Sequence, residues 1–194
     1  MHSLYVDSTS GLVIGLLDSN YSWVEYLSLD EKKPSEIIHF EIFNLLKKYN
    51  LNLAEMQCFV SSGPGSYTGM RLSEGLAQVF ELSHISVYSF YHFDVPSLSG
   101  VSKGFFATNA FKGQVFVYKW NGNDVEKYLV NKDLFIIEEE KLGFTLDASD
   151  PIFSNLVSTK SLIKDNAPDI FSKVSERKLR FAPYYFRSLD EEFR

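Results

Sequence analysis

Short apolar runs separated by turn residues open the chain. Residues 4–7 are apolar up to Asp7, and Asp7-Ser8-Thr9-Ser10-Gly11 has the composition of a turn. Residues 12–17 form a second apolar run, Asp18-Ser19-Asn20 a second turn, and residues 23–29 set Trp23, Tyr26 and Leu29 among polar neighbours. Three strands joined by turns this tight can only be an antiparallel meander. A helix is expected over residues 34–49, opened by Pro34 and Glu36 and striped by Ile38, Ile42, Leu45, Leu46 and Tyr49. A buried strand over 56–60, a helix over 68–82 and a strand over 85–90 complete a βββαβαβ order, which reads as a mixed sheet with helices packed on it.

The pattern then restarts in shorter form. Strands are expected at 105–108, 114–120 and 125–130, with Asn121-Gly122-Asn123-Asp124 as a hairpin turn. An exposed helix start follows at 138–141, a short strand at 151–153, a weak helix at 163–174 and a last strand at 184–186. Two lobes result, residues 1–96 and a reduced copy over 97–194, with the linker expected at 97–100.

Between the strand at 56–60 and the helix that follows it lies Gly63-Pro64-Gly65-Ser66-Tyr67-Thr68-Gly69-Met70-Arg71. Backbone N–H groups at such a place can hold an anion. A phosphate-binding P-loop needs Lys and then Ser or Thr after its last glycine, whereas Met70 and Arg71 stand there. A tight structural turn is the alternative. On the following helix Gly69, Ser73 and Ala77 recur every four residues, a ridge of small side chains that admits a close neighbour. That neighbour is either another protein or the preceding helix. On that preceding helix Phe40 and Phe43 project onto the polar face of Glu36 and Lys47, where exposed aromatic surface calls for a covering partner.

Composition removes several classes. Nineteen Lys and Arg against 25 Asp and Glu give a net charge of −6 in 194 residues, too acidic for a stand-alone nucleic-acid binder. The single Cys58 excludes an internal disulfide and suits a reducing cytosol. No signal peptide and no membrane span are expected. His2, His39, His84 and His92 form no metal-binding pair, and His39 sits among solvated helical positions. Asp7 could hold a cation, but a turn Asp accepting nearby N–H groups is the plainer reading. No catalytic set emerges from spacing, which points to a binding or scaffold role.

The segment from Gly63 to Arg71 closely resembles the G-P-G-S-[FY]-T-G-[LVM]-R signature of the bacterial TsaB (YeaZ) family. Asp7-Ser8-Thr9-Ser10, Ala110-Phe111-Lys112-Gly113-Gln114-Val115-Phe116 and Pro183-Tyr184-Tyr185-Phe186-Arg187 resemble three weaker motifs of that family, in the right order. The resemblance implies an α/β, actin-like ATPase fold (the sugar kinase, Hsp70 and actin class, RNase H-like), with two related βββαβα lobes and mixed sheets. It also implies support for N6-threonylcarbamoyladenosine synthesis in tRNA. A TsaD-like paralogue performs the transfer there, and the TsaB-like protein binds it through its two N-lobe helices and recruits a TsaE-like ATPase.

By that resemblance the partner interface here comprises Pro34, Ile38, Phe40, Phe43, Gly69, Ser73 and Ala77, while Gly63, Pro64, Gly65, Ser66 and Thr68 form a structural loop. The chain alone would be a homodimer that exchanges for the heterodimer through the same helices. It would bind no cofactor tightly, share any nucleotide with partners at a composite interface, and meet tRNA only through the complex. Catalytic relatives carry D-x-G-[TS], where Thr9 now replaces the glycine, and the paralogue's metal-binding His pair has no counterpart. Further departures are Asn109 and Phe111 in the usual D-A-R, Pro34 in place of a common His, and the short second lobe. Two readings of other classes stand beside this one. One is a small actin-fold ATPase or peptidase-like enzyme, which would bind nucleotide or metal by itself. The other is a self-associating protein unrelated to tRNA.

Overall fold

The computed structural model describes residues 1–30, 33–137 and 142–186. The chain forms two compact units, the first from Met1–His92 with Asn166–Tyr184, the second from Phe93–Asp165 with the described residues after 184. Where one boundary at 96/97 was expected, the chain passes between units three times, after residues 92, 165 and 184.

In the first unit β1 (Ser3–Asp7), β2 (Leu12–Leu17) and β3 (Trp23–Leu29) form the antiparallel meander. Helix α1 (Pro34–Lys48) leads to β4 (Gln57–Ser61), parallel to β1, and α2 (Tyr67–Leu82) leads to β5 (Ser86–Phe90), parallel to β4. The helices supply the crossovers that parallel pairing requires. The resulting order is β3-β2-β1-β4-β5.

Strand alternation sorts the two sheet faces. Leu4, Val6, Ile14, Cys58, Val60 and Val87 meet Ile38, Ile42 and Leu45 of α1 and Leu76, Ala77 and Phe80 of α2. Tyr5, Phe59 and Phe90 point the other way, onto Phe171 of α5 (Ala167–Glu176). The fully buried Phe171 ring lies 4.9 Å from Phe59, 5.2 Å from Tyr5 and 5.6 Å from Trp23. A helix late in the chain thus closes the open face of the first sheet.

The second unit repeats the topology. Strands β6 (Lys103–Asn109), β7 (Gln114–Asn121) and β8 (Asp124–Asn131) form a meander. Strand β9 (Gly143–Thr145) runs parallel to β6, and β10 (Val157–Ser158) parallel to β9. The order β10-β9-β6-β7-β8 is the first sheet's order again. The first hairpin of each unit turns through four residues, 8–11 and 110–113, and ends on a left-handed glycine, Gly11 at φ 70° and Gly113 at φ 73°. Among the described residues, 3-10 turns at Lys132–Leu134 and Pro151–Phe153 stand where α1 and α2 lie in the first unit. Two short helices, α3 (Val95–Leu98) and α4 (Thr159–Asp165), accompany them.

Four expectations change. The strand expected at 151–153 is a 3-10 turn, because Pro151 cannot donate to a ladder and the Asp150 carboxylate accepts the Ile152 N–H at 3.0 Å. The helix expected at 163–174 is two, α4 and α5, broken at Asn166 (φ −124°, ψ 32°) with Pro168 in the first turn of α5. Residues 184–186 form no strand; the Tyr184 N–H donates to the O of Ser62, just past β4, at 2.8 Å. The linker expected at 97–100 overlaps the end of α3, where Leu98 is buried. The helix start expected at 138–141 lies outside the described residues.

Two stability predictions follow from this packing. Phe171→Ala should lower the unfolding free energy by roughly 3–5 kcal/mol in urea titration, since Tyr5, Trp23, Phe59 and Phe90 lose a shared partner on one sheet face. In the second unit the Asn109 amide (2.8 Å) and the Lys132 ammonium (2.9 Å) hold the Asp150 carboxyl at about 2, below its ordinary 3.8. A depressed carboxyl contributes stability that is complete above its unfolded value and is lost as pH falls through its folded value. Asp150→Asn should therefore lower the melting temperature at neutral pH, and the gap from wild type should shrink below about pH 4.

Candidate functional site

The site is built where the β1–β2 turn meets the glycine-rich loop. Asp7, last in β1, is buried and accepts from four donors. Oδ1 takes the Thr9 N–H at 2.8 Å and the Thr9 hydroxyl at 2.6 Å; Oδ2 takes His92 Nε2–H at 3.1 Å and the Tyr5 hydroxyl at 3.4 Å. Because the Thr9 hydroxyl hydrogen is already given to Asp7, its contact with His92 Nε2 at 2.9 Å requires the proton on that nitrogen. Burial, reinforced by the Asp7 carboxylate, pushes the Tyr5 phenol well above its ordinary value, so it remains a donor. A carboxylate offers roughly four lone-pair sites, and Thr9, Tyr5 and His92 all approach those of Asp7.

The glycine-rich loop docks on the same turn. Ser66 N–H donates to Thr9 O at 2.7 Å, and the Ser8 hydroxyl donates to Gly69 O at 2.7 Å while its oxygen accepts from the Ser73 hydroxyl at 2.8 Å. Two glycines make this approach feasible: a Cβ on Gly65 would press on Thr9, and one on Gly69 would collide with the Ser8 carbonyl. Ser66 caps α2 by accepting the Gly69 N–H at 3.3 Å. The Gly63–Pro64 peptide is cis, and both residues are buried. Thr68, by contrast, is exposed.

Chemically, the cluster of Asp7, Thr9 and His92 is not a catalytic relay. A Ser-His-Asp arrangement places the acid on one ring nitrogen and the nucleophile on the other. Here Asp7 and Thr9 share Nε2, and all three side chains are buried. Cys58 lies in the core of β4, where burial pushes its thiol up to about 12. Among the described residues, no group of three His, Cys, Asp or Glu could hold a metal ion, and no helix is long and apolar enough to cross a membrane.

The residues expected at a partner interface divide in two. Phe40 and Phe43 stand 62% and 60% exposed on α1, as expected from the helical wheel. Pro34 is the first residue of α1 and partly exposed. Ile38, Gly69, Ser73 and Ala77 are buried within their own unit, so they cannot offer a surface. The small-residue ridge faces inward because it lets α2 lie against the 7–9 turn, with Ser73 bonded to Ser8 and Ala77 packed in the sheet core. The outer side of α2 carries Val79 (56% exposed) and Leu82 (82%) instead, with Gly75 between turns in open space. The first residues of both helices also line a cleft of about 350 Å³, with Ser8, Gly11, Pro34, Ser66, Thr68 and Leu72 on its walls.

The sequence places His92 among histidines that form no metal-binding pair but does not give its partner, Thr9, which is 83 residues away. A signal was available in its neighbours: a His among Phe90, Tyr91 and Phe93 is placed to be buried, and a buried His requires partners.

Topology and site together define a two-unit α/β protein of actin-like fold whose first β-hairpin turn is filled by its own side chains. Two solved structures share that fold. One, described as an uncharacterized protein with similarity to peptidase YEAZ from Pseudomonas aeruginosa, is 13% identical, with a TM-score of 0.68 over 96% of this chain and 99% of that one. The other, YeaZ from Pseudomonas aeruginosa, is 12% identical, with a TM-score of 0.63 over 94% of this chain and 97% of that one. The sequence matches no family model and no curated protein.

The two glycines on α2 should respond oppositely to one methyl group. Gly69→Ala should cost about 1–3 kcal/mol by forcing α2 off the Ser8 carbonyl. Gly75→Ala, in open space on a helix interior, should gain about 0.5–1 kcal/mol. Thermal unfolding of both variants tests the docking of the loop.

Proposed function

We propose that the chain is a TsaB-type, non-catalytic scaffold subunit of the complex that makes N6-threonylcarbamoyladenosine in tRNA. It binds and activates a TsaD-like transferase and recruits a TsaE-like ATPase. The observation that carries this reading is the apolar outer side of α1 and α2, where Phe40, Phe43, Val79 and Leu82 stand in solvent on the helix pair that frames the family signature. Four large apolar side chains on two neighbouring helices mark an interaction surface. The filled turn supports the non-catalytic half of the reading: Asp7, which would serve a cation in a phosphate-transferring relative, is buried and engaged by Thr9, His92 and Tyr5.

Alone, the chain pairs with itself through these helices and exchanges that contact for the transferase, since both states cover the same surface. It acts in the cytoplasm. With a net charge of −6 it leaves tRNA to its partners. Any nucleotide belongs to a composite interface, with the cleft at the starts of α1 and α2 as this chain's share of it. The word peptidase attached to one structural neighbour is not carried over, because Cys58 and the His92 cluster are buried.

Phe43→Glu should leave melting unchanged and abolish stimulation of threonylcarbamoyl transfer in a mixture with the TsaD-like and TsaE-like proteins of the same genome. The modified nucleoside is read by mass spectrometry of digested tRNA. Full stimulation by the folded variant would remove α1 from the interface.

A further inference from the structure

Strand β5 is an edge of the first sheet, and edge strands expose backbone groups to other chains unless something covers them. Residues 179–184 meet this edge at Ser89 and then reach Ser62, the residue that follows β4. Ser89 N–H donates outward to Leu179 O at 2.8 Å, and Phe181 N–H donates to Ser89 Oγ at 2.6 Å. The Ser62 and Ser89 hydroxyls both donate to Phe181 O, at 3.0 and 3.1 Å. Tyr184 N–H donates to Ser62 O at 2.8 Å, and the Tyr91 ring stacks on Phe181 at 4.8 Å. Residues 179–184 therefore cover the β5 edge at Ser89 and the end of β4 at Ser62 without joining the sheet as a strand.

What fastens them is Arg180. Its Nε–H donates to Glu81 Oε1 at 2.7 Å, and Nη1 donates to Glu74 Oε2 and Phe181 O, both at 2.9 Å. Nη2 donates to Glu74 Oε1 at 2.9 Å and Glu81 Oε2 at 3.3 Å. All five guanidinium donors are met, and two carboxylates seven residues apart on α2 are each gripped by two nitrogens. The guanidinium is three-quarters shielded from solvent, which gives this pair more weight than an exposed ion pair carries.

We propose that residues 179–184 are a latched strap, with the Arg180–Glu74–Glu81 clamp as its catch, and that the strap keeps β5 from pairing with the edge of a second copy of this chain. The occupant follows from the edge itself: Ser89 N–H, the donor the strap satisfies, is what an added strand would bond. This inference does not rest on the helix-face reading above.

Two measurements test it on the full chain. Hydrogen exchange of Arg180→Ala at neutral pH should run roughly tenfold or more faster at the Ser89, Phe181 and Tyr184 amides, with Phe171 and Val174 in α5 unchanged. Arg180→Lys, which keeps the charge without the fork, should fall between. Unchanged exchange at those three amides, or equal acceleration in α5, would overturn the latch. The second arm uses Phe40→Glu/Phe43→Glu, which closes the helix face. Adding Arg180→Ala to that variant should produce concentration-dependent association by light scattering, and a mass that stays constant with concentration would overturn the edge-guarding role.

Discussion

The first unit depends on one backbone contact, the hydrogen bond from Ser66 N–H to the carbonyl of Thr9. It brings the start of α2 directly onto the first β-turn, a distance that only Gly65 and Gly69 permit. From that contact the direction of α2 is set, its small residues turn inward, and its larger apolar residues are left outside. The backbone of the glycine-rich loop and the side chains of Thr9 and His92 fill the first β-turn. The signature therefore records a packing constraint. Its proposed consequence for function is indirect, through the helix face it orients.

The acid at the end of β1 shows the same economy. A buried carboxylate is costly unless its lone pairs are satisfied. Asp7 meets that condition with Tyr5 from the same strand, Thr9 from the turn and His92 from the end of the unit's first segment. His92 also donates its backbone N–H to Gly63 O at 2.8 Å. Turn, loop and the end of β5 are thereby joined in one hydrogen-bonded cluster. The second unit carries a more exposed counterpart: Asn109 ends β6 as Asp7 ends β1, and it meets Asp150 and Lys132 instead of a buried histidine.

Much of the architecture was legible in the chain. The apolar runs at 4–7 and 56–60 mark buried strands, and the wheel position of Phe40 and Phe43 identifies them as exposed, because both are local properties of the chain. What stayed hidden depends on distant partners. The ridge of Gly69, Ser73 and Ala77 reads equally as an outward or inward face, since spacing gives the ridge and not the body it meets. Phe171 sits in a helix that the sequence assigns to the second lobe, and only tertiary packing returns it to the first sheet. Arg180 was not singled out, although Glu74 and Glu81 lie seven apart and thus on one side of α2.

In the proposed function the outer side of α1 and α2 is the surface that receives a TsaD-like transferase. Light scattering after size exclusion, on the chain alone and mixed with the TsaD-like protein of its own genome, should give a homodimer alone and a 1:1 heterodimer in the mixture, with the homodimer consumed. Two species that elute unchanged and separately would remove the helix pair from that role.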